Sequence, residues 1–513
     1  MNLFRKDRSK KQRRPTWRDY QAQLQRRPAK RNLGRRAALL LSAGALLIFC
    51  IYMSMPSTGD TNTVQRPEPI RVAAPPAAPP KPAGTPPILK TAVPETQIVL
   101  PTPAVAPPTP AAALSPPAAA LPTPVAVVPI RKGDRIMGKK DAQLLLAGLD
   151  LGHLMDKSVT LPNQGQPLQV QTHLDPDLQA LLIDAMDRKN SRFIGIVVME
   201  ADSGKIRALA GFDKTNPRAN PCLQSTFPAA SLFKIVTAAA AVDHCGYTNH
   251  TPISFNGSKH TLYKSQLKES NNKYTHTISF ADSFAQSVNP VFGKLGCLRL
   301  GKDLLEEYGL GFGFNQPLDF ELEVTPSHLG VTDQPYRLAE IASGFNNETT
   351  ISPLHAAVMV SAVLNQGRLV APSFVDRIVD VDGKVLYQSQ PTWQRRAMTS
   401  KASLILAGMM EETVQSGTAR KAFRGQQRDP VLSQLRIGGK TGSISNDTND
   451  ARFDWFVGFA EAKEGPGQLA VAVLVAHEEY IGVRAGTYAR MAMAHYFKPQ
   501  MPPKESKSAK SKR

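Results

Sequence analysis

Between residues 56 and 130 the chain carries 21 of its 42 prolines in 75 positions, mixed with Ala, Val and Thr. Proline has no backbone N–H and a fixed φ, so this tract sustains neither a helix nor a sheet ladder and builds no packed core. It favours extended polyproline II, at up to ~3.1 Å per residue, and makes a semi-rigid spacer. Proline-binding modules also take such runs as ligands, but outside the cytosol a tether is the better reading. A packed core for the 513-residue chain must therefore be built from Arg131 onward.

Ahead of the tract, residues 37–55 (AALLLSAGALLIFCIYMSM) hold no charge and come directly after Arg35-Arg36. As a helix that length crosses ~30 Å of hydrocarbon. A core helix rarely follows so basic a lead, and a cleaved signal peptide would have shorter apolar and basic regions. The pattern predicts one uncleaved transmembrane helix behind a basic cytoplasmic tail, 1–36. The excess of Lys and Arg keeps that tail inside and puts the remainder on the periplasmic side of the inner (plasma) membrane. The net charge of +20 is concentrated at the ends: residues 1–36 carry +12 and residues 498–513 carry +5, leaving +3 on the other 461. A nucleic-acid-binding body is thereby excluded. The basic end, 498–513, reads as a solvated disordered tail.

Cys50 lies in the apolar stretch, and Cys222, Cys245 and Cys297 remain. They form no CxxC and no zinc spacing, and either one disulfide or three buried thiols fits. No HExxH and no GxxxxGK[ST] occurs, so neither a metal nor a nucleotide cofactor is expected. His477-Glu478-Glu479 reads as a strand end.

From 131 the composition turns globular. A short lead, 131–165, includes a helical candidate at 144–154. A strand is expected at 168–174, with Asp175-Pro176-Asp177 capping a helix through 185. Residues 193–200 (FIGIVVME) and 205–212 predict a hairpin about an Asp-Ser-Gly turn. Helices are expected at 354–366, 403–415 and 484–496. Strands are expected at 375–381 and 383–387 around an Asp-Gly turn, and at 453–460 and 468–477. The body is a mixed, largely antiparallel α/β or α+β domain over 166–497 with a central helical portion.

Chemistry enters at Pro228-Ala229-Ala230-Ser231-Leu232-Phe233-Lys234, which opens the apolar run 235–242. If Ser231 starts this helix, Lys234 lies one turn on, with its amine in reach of the hydroxyl. That is a nucleophile with a base beside it. Ser-x-x-Lys recurs at Ser265/Lys268 and Ser270/Lys273, both inside a polar stretch that reads as solvated loop. A lone Ser231 would be read as an ordinary helix cap. Here Ser287-Val288-Asn289 and Lys440-Thr441-Gly442 come after it in order, although by themselves Asn289-Pro290 could mark a turn and Lys440-Thr441-Gly442 a strand end.

The three motifs together resemble the penicillin-recognising serine acyltransferases, the penicillin-binding proteins and their β-lactamase kin. The resemblance extends to 171–179, to the hairpin at 197–209, to 350–372, to Gln415-Ser416-Gly417-Thr418-Ala419 and to Asp454-Trp455-Phe456-Val457-Gly458. Phe345-Asn346-Asn347-Glu348 departs from it, where a glycine-rich turn is usual, which puts the shape of the cleft edge in question. The resemblance implies the transpeptidase fold, a central antiparallel sheet with a helical subdomain. It also implies D,D-transpeptidase chemistry on D-Ala-D-Ala stem peptides of peptidoglycan, with β-lactams as covalent inhibitors. A partnering glycosyltransferase is compatible with it. The 100 residues at 131–230 are too few for an attached glycosyltransferase domain and short for a large pedestal. A D,D-carboxypeptidase, a serine β-lactamase, a β-lactam sensor and a non-catalytic wall-assembly scaffold stay open as alternatives.

In this scheme Ser231 attacks a carbonyl carbon and Lys234, neutral through burial and the nearby charge of Lys440, takes its proton. Ser287 would relay a proton between Lys234 and the leaving amine, and Asn289 would bond the substrate's peptide group through both donor and acceptor. Lys440, Thr441 and Ser443 would line a strand edge and hold a terminal carboxylate, with Thr441, Gly442 and Ser443 as the substrate-binding stretch. The resemblance assigns the oxyanion hole to the backbone N–H groups of Ser231 and Ser443.

Overall fold

The run Gln468–His477 sits in the middle of a five-stranded antiparallel sheet, and its side chains divide by parity. Leu469, Val471, Val473 and Val475 enter one hydrophobic cluster, whereas Ala470, Ala472, Leu474 and Ala476 enter another. Successive side chains point to opposite faces, so a strand covered on both sides reads as an unbroken apolar run. The computed structural model describes residues 137–147, 154–162 and 166–500. The readings at 1–36, 37–55 and 56–130, and the tail from 501, lie outside these. Among the described residues no helix is long and apolar enough to cross a membrane.

The sheet strands are β1 (Ser191–Glu200), β2 (Ile206–Asp213), β3 (Leu435–Ser445), β4 (Arg452–Ala462) and β5 (Gln468–His477). Their order is β3-β4-β5-β1-β2, so β3 is an edge strand. The helices that matter for the site are α1 (Lys234–Cys245), α2 (Pro335–Ser343), α3 (Pro353–Leu364), α4 (Ser400–Gln415) and α5 (Ala485–Phe497). The bulky face of β5 packs on α5, whose Tyr488, Ala489 and Met493 join the same cluster. Its alanine face packs on α3, where small side chains let the helix come close. Every residue of α3 from Pro353 to Val363 is buried, as its all-round apolar sequence requires. The helix is started by the Ser352 hydroxyl, which accepts from the His355 N–H at 3.1 Å, and by Pro353 at its first position.

A second antiparallel sheet joins Ser158–Leu161, Leu168–Thr172, Val375–Val379 and Val385–Gln388 in that order. Leu161 pairs with Leu168, so this hairpin carries the sheet across residue 165. The lead contains a helix at Lys139–Leu146, started where the Asp141 carboxylate accepts from the Gly138 N–H at 2.9 Å; residues 148–153 of the expected helix at 144–154 lie outside the described residues. The hairpin, the Asp175-capped helix, the later helices and the strands occur where the sequence places them, within a few residues at each end. Cys222, Cys245 and Cys297 are free thiols, and of the three only Cys222 is fully buried. His477 does end β5, and Glu478 beyond it pairs with Lys214 at 2.6 Å.

Candidate active site

Ser231 lies in a 3-10 turn, Ala230–Phe233, and α1 begins only at Lys234. The sequence reading put Ser231 at the start of the α-helix itself; the tighter turn intervenes. In a 3-10 turn residues i and i+3 eclipse, which aligns the Ser-x-x-Lys pair. Lys234 Nζ is 2.9 Å from Ser231 Oγ.

Remote parts of the chain hold this turn. Phe227-Pro228 pairs with Thr350-Ile351, the Ala229 N–H donates to Thr349 O at 2.8 Å, and Trp455 Nε1 donates to Pro228 O at 2.9 Å. They fix Ala230 at φ 48°, a left-handed conformation that costs an alanine about 1–2 kcal/mol. Two glycines permit the close packing around it. A Cβ on Gly344 would lie 1.8 Å from Ala230 O, and one on Gly442 would crowd Trp455 Cβ at 3.3 Å and Ala230 Cβ at 3.4 Å.

Lys234 is fully buried and meets three oxygens: Ser231 Oγ, Asn289 Oδ1 at 2.8 Å, and the backbone carbonyl of Ser343 at the end of α2. The Asn289 amide is oriented by its other arm, which donates to His260 O at 3.2 Å. Two of the three oxygens can only accept. A neutral amine has two hydrogens and one lone pair, so it gives both hydrogens to Asn289 and Ser343. Its lone pair then faces the one partner able to donate, the Ser231 hydroxyl. Burial drives the Lys234 pKa well below its ordinary value, and the charge of Lys440 adds to that. Among the described residues no carboxylate forms a salt bridge with either lysine, so no opposite charge offsets the cost of burying a cation there.

The Ser287-Val288-Asn289 segment joins two short helices, Phe280–Ala285 and Asn289–Lys294. Ser287 takes φ 56° at the join, which turns both Ser287 and Asn289 towards the lysines. Ser287 Oγ accepts from Lys440 Nζ at 2.9 Å. Its partner here is Lys440, where the sequence reading gave it a relay between Lys234 and the leaving amine. Asn289 Oδ1 accepts from Lys234 and its Nδ2 donates to His260 O, because the following helix aims the amide inward. Lys440, fully buried, also donates to Thr441 O at 2.9 Å and lies 5.4 Å from the Phe284 ring centroid. Burial pushes its pKa down to about 7.

Along β3 parity again separates roles. Lys440 and Gly442 face inward, buried against Ser287 and the nucleophile turn, whereas Thr441 is half-buried and Ser443 exposed. Lys440 therefore does not share a face with Thr441 and Ser443, contrary to the sequence reading. Thr441 Oγ1 is 2.6 Å from Thr418 Oγ1, and Ser443 Oγ donates to Asp454 at 3.4 Å. The look-alike residues Ser265, Lys268, Ser270 and Lys273 are all exposed, as expected of solvated loop. At Phe345-Asn346-Asn347-Glu348 the cleft rim is bridged: Asn347 Nδ2 donates to Asp447, just beyond β3, and Glu348 pairs with Arg337 at 3.4 Å.

Sequence reasoning missed four contributors. Thr418 lies in the Gln415–Ala419 stretch that already resembled the family, and that stretch was its signal. His260 and Lys259, whose carbonyls accept from the Asn289 side chain and backbone, sit in a segment without motif. Ser343 acts through a backbone oxygen, for which a side-chain pattern gives no signal.

A family model of the penicillin binding protein transpeptidase domain matches residues 194–497. The chain is 26% identical over 277 residues to peptidoglycan D,D-transpeptidase PbpA of Mycolicibacterium smegmatis, covering 51% of this chain and 52% of that protein. It is 24% identical over 335 residues to stage V sporulation protein D of Bacillus subtilis, covering 64% and 50%. The chain thus spans about half the length of these two curated relatives. Among solved structures, the D,D-transpeptidase domain of a peptidoglycan glycosyltransferase from Eggerthella lenta superposes with a TM-score of 0.54 at 24% identity, over 64% of this chain and 83% of that one. Penicillin-binding protein A of Mycobacterium tuberculosis, as its imipenem acyl-enzyme complex, gives 0.51 at 24% identity, over 64% and 78%. At such identity the structures establish the fold. With the family model covering more than half of its residues, the chain belongs to the penicillin-binding protein transpeptidase domain family.

Proposed function

We propose that the chain is a serine D,D-transpeptidase that cross-links peptidoglycan through a Ser231 acyl-enzyme and is trapped by β-lactams at the same serine. The observation that carries this reading is the hydrogen-bond set on Lys234, which leaves a lone pair on the Ser231 hydroxyl. Oγ attacks the carbonyl of the penultimate D-Ala, a C–O bond forms, and the hydroxyl proton passes to Lys234. The C–N bond to the terminal D-Ala then breaks, and the leaving amine takes a proton from Ser287, which Lys440 resupplies. In the second half an incoming stem-peptide amine attacks the ester and gives its proton through Ser287 to Lys440. Lys234 returns its proton to Ser231 Oγ as the C–O bond breaks. One proton shared between two buried lysines closes the cycle, in keeping with the burial that lowers the pKa of both. The backbone N–H groups of Ser231 and Ser443 supply the oxyanion hole, where one donor contributes about 2.7–4 kcal/mol to transition-state stabilisation.

The sequence supports an inner-membrane anchor at 37–55, with the catalytic domain held on the periplasmic side by the proline tether. A glycosyltransferase supplying glycan strands is the partner that cross-linking by this domain calls for. The test is incubation with a labelled penicillin, with Ser231→Ala as control: label on the wild type and none on the variant is expected. An unlabelled wild type would overturn the reading. A stem-peptide donor with an amine acceptor then yields a cross-linked product, whereas hydrolysis alone would point to a carboxypeptidase.

A further inference from the structure

Ser443 and Asp454 face each other across the ladder of β3 and β4, and the Ser443 hydroxyl donates to the Asp454 carboxylate at 3.4 Å. Ser443 is exposed, whereas Asp454 is buried where β4 meets the end of β5 and the start of α5. Four groups converge on this carboxylate, and all of them donate. The Ala485 N–H, in the first turn of α5, bonds Oδ2 at 3.2 Å, and Arg484 Nη1 bonds Oδ1 at 3.4 Å. The Gly482 N–H donates to His477 Nδ1 at 3.3 Å, so a neutral His477 carries its hydrogen on Nε2, 3.6 Å from Asp454 Oδ2. Asp454 is thereby fixed from β5 and α5, and Ser443 is the fourth group it holds.

Strand β3 needs such a hold. It lies at the sheet edge with β4 as its ladder partner, and Gly438, Gly439 and Gly442 give it no side chains to pack. Glycine leaves the backbone freer than any other residue. An N–H on the outer side of an edge strand, in turn, has no ladder bond to set its direction. To serve the oxyanion hole, the Ser443 N–H must point off that outer side. What remains to fix its aim is the residue's own side chain, bonded to a carboxylate that cannot move.

We propose that Asp454 is a positioning residue for acyl transfer: it clamps the Ser443 side chain and so aims the Ser443 N–H at the oxygen of the carbonyl that Ser231 attacks. The inference rests on acyl transfer at Ser231 as proposed above. The test labels the full chain with a penicillin at a series of concentrations, which separates affinity in the first complex from the acylation rate constant. The final label counts competent sites, so loss of folded protein does not enter the rate. Ser443→Ala keeps the N–H and loses the hydroxyl. Its rate constant is expected to fall about tenfold, the worth of one charge-assisted hydrogen bond, with the first complex unchanged. Losing an oxyanion donor outright would cost about 10²–10³-fold. Asp454→Ala should show the same fall, and the double variant no further one. An unchanged rate constant in Ser443→Ala overturns the proposal. So does a loss confined to the first complex, which would mean that the hydroxyl touches the ligand, or losses that multiply in the double variant. Should Asp454→Ala leave no competent sites, Ser443→Ala decides by the same criteria. An unlabelled wild type overturns the acyl-transfer reading itself, and the positioning role with it.

Discussion

The cleft has two walls, each carrying one buried lysine, and the two lysines are held differently. On the helical wall Lys234 meets two oxygens that can only accept and one hydroxyl. On the sheet wall Lys440 meets one hydroxyl and one carbonyl. Burial lowers both, and their like charges oppose each other, so the pair favours one proton over two. The proposed cycle gives the vacant proton site to the lysine beside the nucleophile and the carried proton to the lysine beside Ser287. Two like residues thus become a base and an acid by the company each keeps.

The sharpest way to break this comparison is Lys234→Met, which removes the base but keeps the bulk. Acylation by labelled penicillin is expected to fall by about 10²–10⁴-fold. A loss of less than tenfold would mean that Ser231 finds its base elsewhere. Lys440→Met tests the other wall through pH. Neutral Lys234 is the reactive form, so the acylation rate falls as pH drops through its pKa. Removing Lys440 removes a cation that lowers that pKa, and the acid limb of the rate profile should move to higher pH.

The same variant has a signature in stability. Between about pH 7, where folded Lys440 titrates, and the ~10.4 of an unfolded lysine, the unfolded chain binds a proton that the folded one does not. Wild-type stability relative to Lys440→Met should therefore rise with pH across that window, by up to about 1.4 kcal/mol per unit. It falls again as pH drops towards 7. Denaturant melts at several pH values measure it, and a flat difference would contradict the burial-lowered pKa.

Gly344→Ala probes how closely the helical wall approaches the nucleophile turn. A methyl 1.8 Å from Ala230 O, on a backbone at φ 63°, should cost about 1–3 kcal/mol in a melt and reduce acylation. The smallest effect is expected from Lys268→Ala in an exposed look-alike pair. Stability should stay within about 0.5 kcal/mol and labelling should not change.

Much of the fold was legible because patterning is a property of side chains. The unbroken apolar run of β5, the Asp-Ser-Gly hairpin and the proline-initiated α3 arise from burial, turn chemistry and capping. The five polar members of the site were legible because they cluster in three motifs. What escaped was orientation. The partners Lys440 for Ser287 and His260 for Asn289 were not foreseen, because the turn at Ser287 depends on a left-handed backbone that no residue type announces. The parity of Lys440 against Thr441 and Ser443 was readable from strand alternation alone. The Ser343 carbonyl and the Lys259-His260 carbonyls were not, since a backbone oxygen leaves no trace in composition.

The bond from Trp455 to Pro228 spans 227 residues, and it bears on when the serine becomes reactive. A ribosome adding about 5–20 residues per second delivers Pro228 roughly 10–45 s before Trp455. Strand β3, with Lys440 and Gly442, also emerges late in that interval. Until then the chain lacks both Lys440 and the Trp455 clamp on the nucleophile turn, so on the proposed mechanism Ser231 gains its full reactivity only when the C-terminal hairpin has closed.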